Sequence, residues 1–193
     1  MRFFDLVEKT RTVRRFEQNR PVTMEKLTEL VKLAQMTPSS GNLQPLRYVL
    51  INDPKVCDAV HPCLGWAAAL ENWHTQVDGE RPAAYIVILC DGSTQNPRRD
   101  VGIVAQTMML GAAEMGLGCC MLGSIQRDPL RRALEIDEQY TIELVLALGY
   151  PVEQVVMEPM KNGDVRYWRD ETGLHHVPKR SLDELIVVKK EKT

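Results

Sequence analysis

Apolar and polar positions along the chain follow two periods, and together they outline most of the elements. Phe3 to Lys9 reads as a short helix carrying Phe3, Phe4, Leu6 and Val7. A clearer helix places Met24, Leu27, Leu30, Val31 and Ala34 on one face, with Thr23 as N-cap and Glu25 in the first turn. It ends before Pro38, since the residue preceding a proline is pushed out of the helical region. Arg47 to Asn52 is β-branched and apolar enough for a strand. Asp53-Pro54 then supplies an N-cap and an N1 proline for a helix through Val60. Cys63 to Arg81 has a mixed pattern, with a helical stretch expected around Trp66 to Trp73 and then a polar loop at Asp78-Gly79.

Tyr85 to Cys90, YIVILC, is a continuous apolar run, the mark of a strand buried on both faces. Arg98 to Met115 predicts a helix with almost no polar face, placed either at the core centre or in a subunit interface. Gly116 and Gly118 end it. Cys119 to Leu122 is a short buried strand closed by Gly123. Asp128-Pro129 repeats the cap signal for a helix through Leu134, and Thr141 to Leu148 is a further strand ended by Gly149 and Pro151. Val165 to Val177 reads as a hairpin around Glu171-Thr172-Gly173. Ser181-Leu-Asp-Glu184 is a capping box opening a last short helix, and Lys189 to Thr193 is expected to be mobile. Strands and helices interleave without repeat or linker. The pattern is that of one domain over 1–193, of α/β or α+β class.

Composition narrows the partners. A net charge of -2, with acids and bases mixed along 193 residues, gives no global reason to expect nucleic acid or a membrane surface. No basic start leads into an apolar segment, so no signal peptide is expected, and no apolar run is long enough to span a bilayer. Cys57, Cys63, Cys90, Cys119 and Cys120 form no Cys-x-x-Cys pair and read as buried thiols of a cytoplasmic protein. His61 and His74 flank the middle of the chain. His175-His176 are neighbours on a predicted strand and face opposite ways, so they make a poor metal clamp, and no metal is expected.

Two stretches carry candidate chemistry. Arg11-Thr-Val-Arg-Arg-Phe16 puts three guanidiniums and a hydroxyl into five residues, a donor set suited to phosphate. Taken alone it is also an ordinary solvated basic turn. Thr37-Pro-Ser-Ser-Gly-Asn-Leu-Gln-Pro45 packs two prolines, hydroxyls and two side-chain amides between a helix and a strand. The alternative, a plain polar turn, leaves that density of amides unexplained. The dinucleotide fingerprint Gly-x-Gly-x-x-Gly, the P-loop and a serine nucleophile elbow are all absent, and Gly116-Leu-Gly118 is explained as a helix stop.

Together the two stretches resemble the FMN-dependent nitroreductase family. Arg11 to Phe16 matches its Arg-Ser-x-Arg-x-Phe type element. Pro38 to Pro45 matches its Pro-Ser-x-x-Asn-x-Gln-Pro loop, about two dozen residues later. GAAEMGLG, Gly111 to Gly118, and LALGYP, Leu146 to Pro151, also look familial, so the resemblance runs from residue 1 to about 151. It implies an α+β fold with a central, mostly antiparallel sheet flanked by helices. It also implies a homodimer with FMN at the interface, in which the arginine element comes from one chain and the Pro-Ser loop from the other. Arg98 to Met115 would be the interface helix.

On that resemblance Arg11 and Arg14 hold the FMN phosphate and Thr12 adds a hydroxyl. Arg15 ranks lower, being out of phase with both on an extended segment. Asn42 and Gln44 meet the flavin edge or ribityl hydroxyls, Ser39 and Ser40 supply hydroxyls or N–H groups, and Pro38 and Pro45 stiffen the loop. The turn after Leu122 brings a backbone N–H near flavin N5, with Gly123 chosen because glycine allows close approach. Lys179 and Arg180 either reach the phosphate or pair with Asp183 and Glu184. No side-chain acid or base is nominated. Thr10-Arg11-Thr12 departs from the common Arg-Arg-Ser. Trp66 and Trp73 either stack on substrate or pack the core. Val152 to Pro178 covers the site, reaches round the partner, or is an edge hairpin.

The implied activity is ping-pong oxidation of NADH or NADPH, with nitroaromatics or quinones as acceptors. The alternatives are a specialised flavoenzyme of the same fold (flavin fragmentation, dehalogenation or ene reduction), a flavin-binding sensor without turnover, and a domain whose arginines bind some other phosphate.

Overall fold

The computed structural model describes residues 2–67, 69–70, 73 and 75–191. His74 and part of the expected Trp66–Trp73 helix lie outside them; none of the described residues of that stretch is helical, with Ala69 in a turn, Leu70 in a bend and Ala67 at φ 35°. A four-stranded antiparallel sheet forms the centre. Its strands are β1 (Leu46–Ile51), β2 (Ala84–Cys90), β3 (Gly118–Leu122) and β4 (Thr141–Gly149), in the order β1-β2-β4-β3. The helices are α1 (Phe3–Lys9), α2 (Met24–Gln35), α3 (Pro54–Val60), α4 (Arg98–Glu114) and α5 (Arg127–Ala133).

The sheet is buried on both faces. Ile86, Ile88, Leu146 and Leu148 face α2 and α4, while Tyr85, Val87, Val145 and Ala147 face α3, Trp66 and Leu130. This is why YIVILC is continuously apolar although its neighbours run antiparallel: alternation sends successive side chains into two different cores. An irregularity between Ile88 and Leu89 inserts Glu143 into β4, so that Ile142 returns to the α3 side.

Caps define the helix starts where they were expected. Thr23 Oγ1 accepts from Lys26 N, Asp53 Oδ1 from Lys55 N and Val56 N, and Ser181 and Glu184 close a capping box at α6 (Leu182–Leu185). Two expectations change. α5 begins at Arg127, so Asp128 lies inside its first turn instead of capping it. The bonds Gln126 N to Cys63 O and Leu130 N to Gln126 O fix the earlier start. α4 is not apolar all round: Arg98, Arg99, Gly102, Ile103, Gln106 and Glu114 form an exposed stripe. Its opposite side packs on α2 so closely that a Cβ at Gly111 would stand 2.3 Å from Leu33 Cδ1.

The segment after β4 builds a second sheet from β5 (Val155–Pro159), β6 (Trp168–Arg169) and β7 (His175–Lys179), in the order β5-β7-β6. β6 and β7 form the expected hairpin, turned by Gly173 N to Asp170 O at 3.0 Å. His175 is fully buried against Tyr167, whereas its neighbour His176 stacks on Trp168, the opposite facing that a strand requires. The five cysteines are buried free thiols; burial pushes Cys57 up to about 12. Among the described residues no helix is long and apolar enough to cross a membrane, and no group of three or more His, Cys, Asp or Glu could hold a metal ion.

Candidate functional site

The arginine element lies extended along the exposed edge of β3. Val13 N donates to Cys119 O at 3.0 Å, and Glu17 N donates to Tyr150 O at 2.8 Å just past β4. Two glycines make this approach possible. Gly118 and Gly149 are cross-strand partners. A Cβ at Gly118 would stand 2.8–3.1 Å from Val13 side-chain atoms, and one at Gly149 would stand 2.9–3.1 Å from Phe16. The glycines of GAAEMGLG and LALGYP therefore give RTVRRF a flat floor. Gly118 closes a helix and also makes room for Val13.

The three arginines have different tasks. Arg15 Nε and Nη2 pair with both Glu80 oxygens at 2.7 and 2.6 Å, a two-point ion pair that raises Arg15 and holds Glu80 below the usual carboxylate range. Arg11 donates to Val7 O and to Met157 Sδ at 3.0 Å, while its buried Nε has no partner among the described residues. The Arg14 guanidinium stands over the Tyr167 ring at 4.7 Å. It also lies close enough to β3 to oppose the burial that pushes Cys120 up to about 11. Thr12 is half-buried beside Cys119. Leu122 is buried opposite Val145, and Gly123 is exposed with open space where a Cβ would sit.

The basic residues of the second sheet reach the same end of the molecule. Met157, which Arg11 touches, pairs with Val177 of β7. Lys179 is two residues further and therefore on the same face of the sheet as Val177. Arg180 makes a 3.4 Å ion pair with Glu184, the local acid named as its alternative partner.

The Pro38–Pro45 loop is rigid and built around a carboxylate that sequence reasoning missed. Asp100, 3% exposed in the first turn of α4, accepts Ser39 Oγ–H and the Ser40 N–H at 3.1 and 3.2 Å. Ser39 Oγ in turn accepts Gln44 N–H at 2.9 Å. Gly41, Asn42 and Gln44 all have positive φ (57°, 55° and 50°), held by these bonds. Ser39's hydroxyl and Ser40's N–H are thus occupied inside the chain. The Ser40 hydroxyl and the exposed amides of Asn42 and Gln44, which bond each other at 3.2 Å, face outward. The one sequence signal for Asp100, an acid in a helix's first turn, is common to many helices.

The two halves sit at opposite ends of α4. The loop, Asp100 and Val104 line one cleft of about 380 Å³. Arg11, Gly118, Met109 and Ala113 line another of about 380 Å³. Along the helix their lining residues, Asp100 and Val104 against Met109 and Ala113, are five to thirteen positions apart, about 8–20 Å at 1.5 Å per residue.

An antiparallel sheet between helical layers, a glycine-floored arginine element and a proline-bounded amide loop define an α+β protein with two candidate donor clusters set apart along α4. A sequence model of the nitroreductase family matches residues 7–150, and the chain belongs to that family. Among its relatives is an iodotyrosine deiodinase from Thermotoga neapolitana, 25% identical over 180 residues that cover 85% of this chain and 96% of that one. A 5,6-dimethylbenzimidazole synthase from Rhodospirillum rubrum is 26% identical over 168 residues, covering 75% and 79%. The fold also matches a Desulfovibrio desulfuricans chain solved in complex with FMN, with a TM-score of 0.70, 23% identity, and 98% and 97% covered.

Proposed function

We propose that the chain is an FMN-dependent oxidoreductase, acting as a homodimer, that oxidises NADH or NADPH and passes the electrons to a nitroaromatic, quinone or similar acceptor. The observation that carries this reading is the divided site. One end of α4 offers guanidinium and ammonium donors, and the other offers neutral amides. FMN needs both kinds, since its phosphate is anionic and its ring edge is amide-like. The unpartnered buried Arg11 Nε fits a missing acceptor at the charged end. A twofold axis crossing α4 near its middle would set the loop of one chain against the arginines of the other. Exposed apolar residues at the termini support a second copy: Phe4 is 83% exposed and Val187 91%.

The residues divide the work. Arg11 and Lys179, on one side of the second sheet, would hold the phosphate, with Thr12 beside them; Arg180 is drawn towards Glu184. Arg14 and the Leu122–Gly123 turn would hold the ring side, Gly123 leaving its backbone open to a close approach. Asn42, Gln44 and Ser40 of the partner would orient the ring through neutral bonds that leave its charge unaltered. When bound, FMN supplies the hydride chemistry, and the protein supplies placement and a dry surface.

Purified protein is expected to be yellow and to bleach on addition of NADH or NADPH. Colourless protein that takes up no added FMN refutes this reading. A dehalogenating or otherwise specialised flavoenzyme is the second reading, favoured by the deiodinase relative, which this chain matches over 96% of its length. Turnover of a halogenated phenol with no activity on quinones would select it.

A further inference from the structure

We propose that the second sheet, residues 155–179, exists to hold Arg14, with Glu153 positioning its backbone and Tyr167 orienting its guanidinium, so that every guanidinium N–H is left free for the ligand. The inference rests on the FMN reading above. Arg14 is gripped at three places, each by a residue distant in sequence. Its backbone N–H donates to Glu153 Oε1, which also accepts Arg15 N–H at 3.2 Å. Its carbonyl accepts Gln76 Nε2–H at 2.7 Å, and Gln76 is fixed in turn by His61 at 2.9 Å. Its guanidinium lies on the Tyr167 ring.

Each grip is itself supported. The Glu153 side chain is fully buried, and its second oxygen takes Arg169 Nη2 at 2.6 Å. Arg169 belongs to β6, so this ion pair ties the second sheet to the arginine element. Tyr167 stacks on His175 of β7 with centroids 5.3 Å apart, and His175 is fully buried with its backbone N–H bonded to Gln154 O at 2.9 Å. Arg14, Tyr167 and His175 thus form a stack whose base is locked in the sheet.

The choice of an aromatic face has a physical consequence. A carboxylate partner, such as the one Arg15 has, occupies N–H donors and neutralises the charge. A ring face attracts the cation through its quadrupole and occupies none. Among the described residues, the Arg14 guanidinium makes no hydrogen bond. It is therefore oriented, charged and unspent, the state a ligand-binding arginine requires. Arg14 and Arg15 are adjacent in sequence and opposite in use.

The test is a double-mutant cycle on full-length protein stripped of flavin, with FMN titrated and followed by quenching of its fluorescence. Tyr167→Leu is expected to weaken FMN binding about 3- to 10-fold, Tyr167→Phe to stay within about twofold, and Tyr167→Leu to add less than about twofold in an Arg14→Ala background. Tyr167 is only partly buried, so Tyr167→Leu is expected to fold. Should it not, Tyr167→Trp keeps a ring face and must retain affinity. Wild-type affinity in Tyr167→Leu, loss in Tyr167→Phe or Tyr167→Trp, or a loss that persists in full without Arg14 overturns the proposal. Wild-type protein that binds no FMN overturns the reading on which it stands.

Discussion

Asp100 is the sharpest point at which to test the loop half of the site. Asp100→Ala removes the acceptor for the Ser39 hydroxyl and the Ser40 N–H, and indirectly loosens Gln44, whose N–H rests on Ser39 Oγ. Ser40 is exposed, so water can replace its bond. Ser39 is half-buried and Asp100 fully so, and there the loss is not made good. One stranded polar group costs about 1–3 kcal/mol, and relief from burying the carboxylate offsets part of the second bond, leaving about 2 kcal/mol. For a chain of this size that lowers Tm by about 4–8 °C. The loop's three positive-φ residues would then lose their common anchor, so FMN affinity is expected to fall about tenfold, as 1.4 kcal/mol of ordering is returned to the binding step. Asp100→Asn, which keeps one acceptor, should fall between. Thermal melts and FMN titration on the same samples decide. An unchanged Tm refutes the anchoring role. A lowered Tm with unchanged FMN affinity refutes the assignment of this loop to the flavin.

Arg15→Ala should lower stability by about 1–2 kcal/mol through loss of the two-point pair with Glu80 while sparing FMN affinity, and Arg14→Ala should do the reverse; matching affinity losses in the two would contradict their separate roles. Gly118→Ala forces its Cβ against the branched Val13 Cβ, 2.9 Å away, and should cost about 1–3 kcal/mol in urea unfolding; an unchanged midpoint would show that RTVRRF does not rest on that floor. Burial holds His175 down at about 4 against an ordinary 6.5, so the unfolded chain binds the extra proton between those values. That part of the stability is complete above about pH 6.5 and falls as pH drops towards 4, by up to about 1.4 kcal/mol per unit. His175→Phe should flatten the profile in that window, and an equally steep profile in the variant would exclude His175 as its source.

The family was legible in the sequence because its two signatures are local strings, and so were most elements. YIVILC, the Thr23, Asp53 and Ser181 caps and the β6–β7 turn are each specified by residues within one or two turns of each other. The second sheet was only half visible: the hairpin had turn chemistry, but β5 joins it in parallel, a pairing that no local signal announces. α5 starts two residues early because a bond from Gln126 to Cys63, far back in the chain, outweighs the Asp-Pro cap.

Sequence alone determined which residues could serve a divided anion-and-amide site, since that is a matter of donor type and spacing. Tertiary structure decided which of them are free to do so. Arg14 and Arg15 are the same residue type and alternation alone ranks Arg15 lower; the structure supplies the cause, since Glu80, 65 positions away, claims Arg15, while Tyr167 only orients Arg14. Ser39 reads as a ligand and is found bonded to Asp100, 61 positions on. Gly118 and Gly149 read as helix and strand stops and prove to be one surface, because antiparallel pairing puts them side by side. Periodicity reports what a residue's neighbours in sequence require of it. Partners brought together by folding set the competition for each donor, and that competition separates an arginine spent inside the chain from one whose donors stay free.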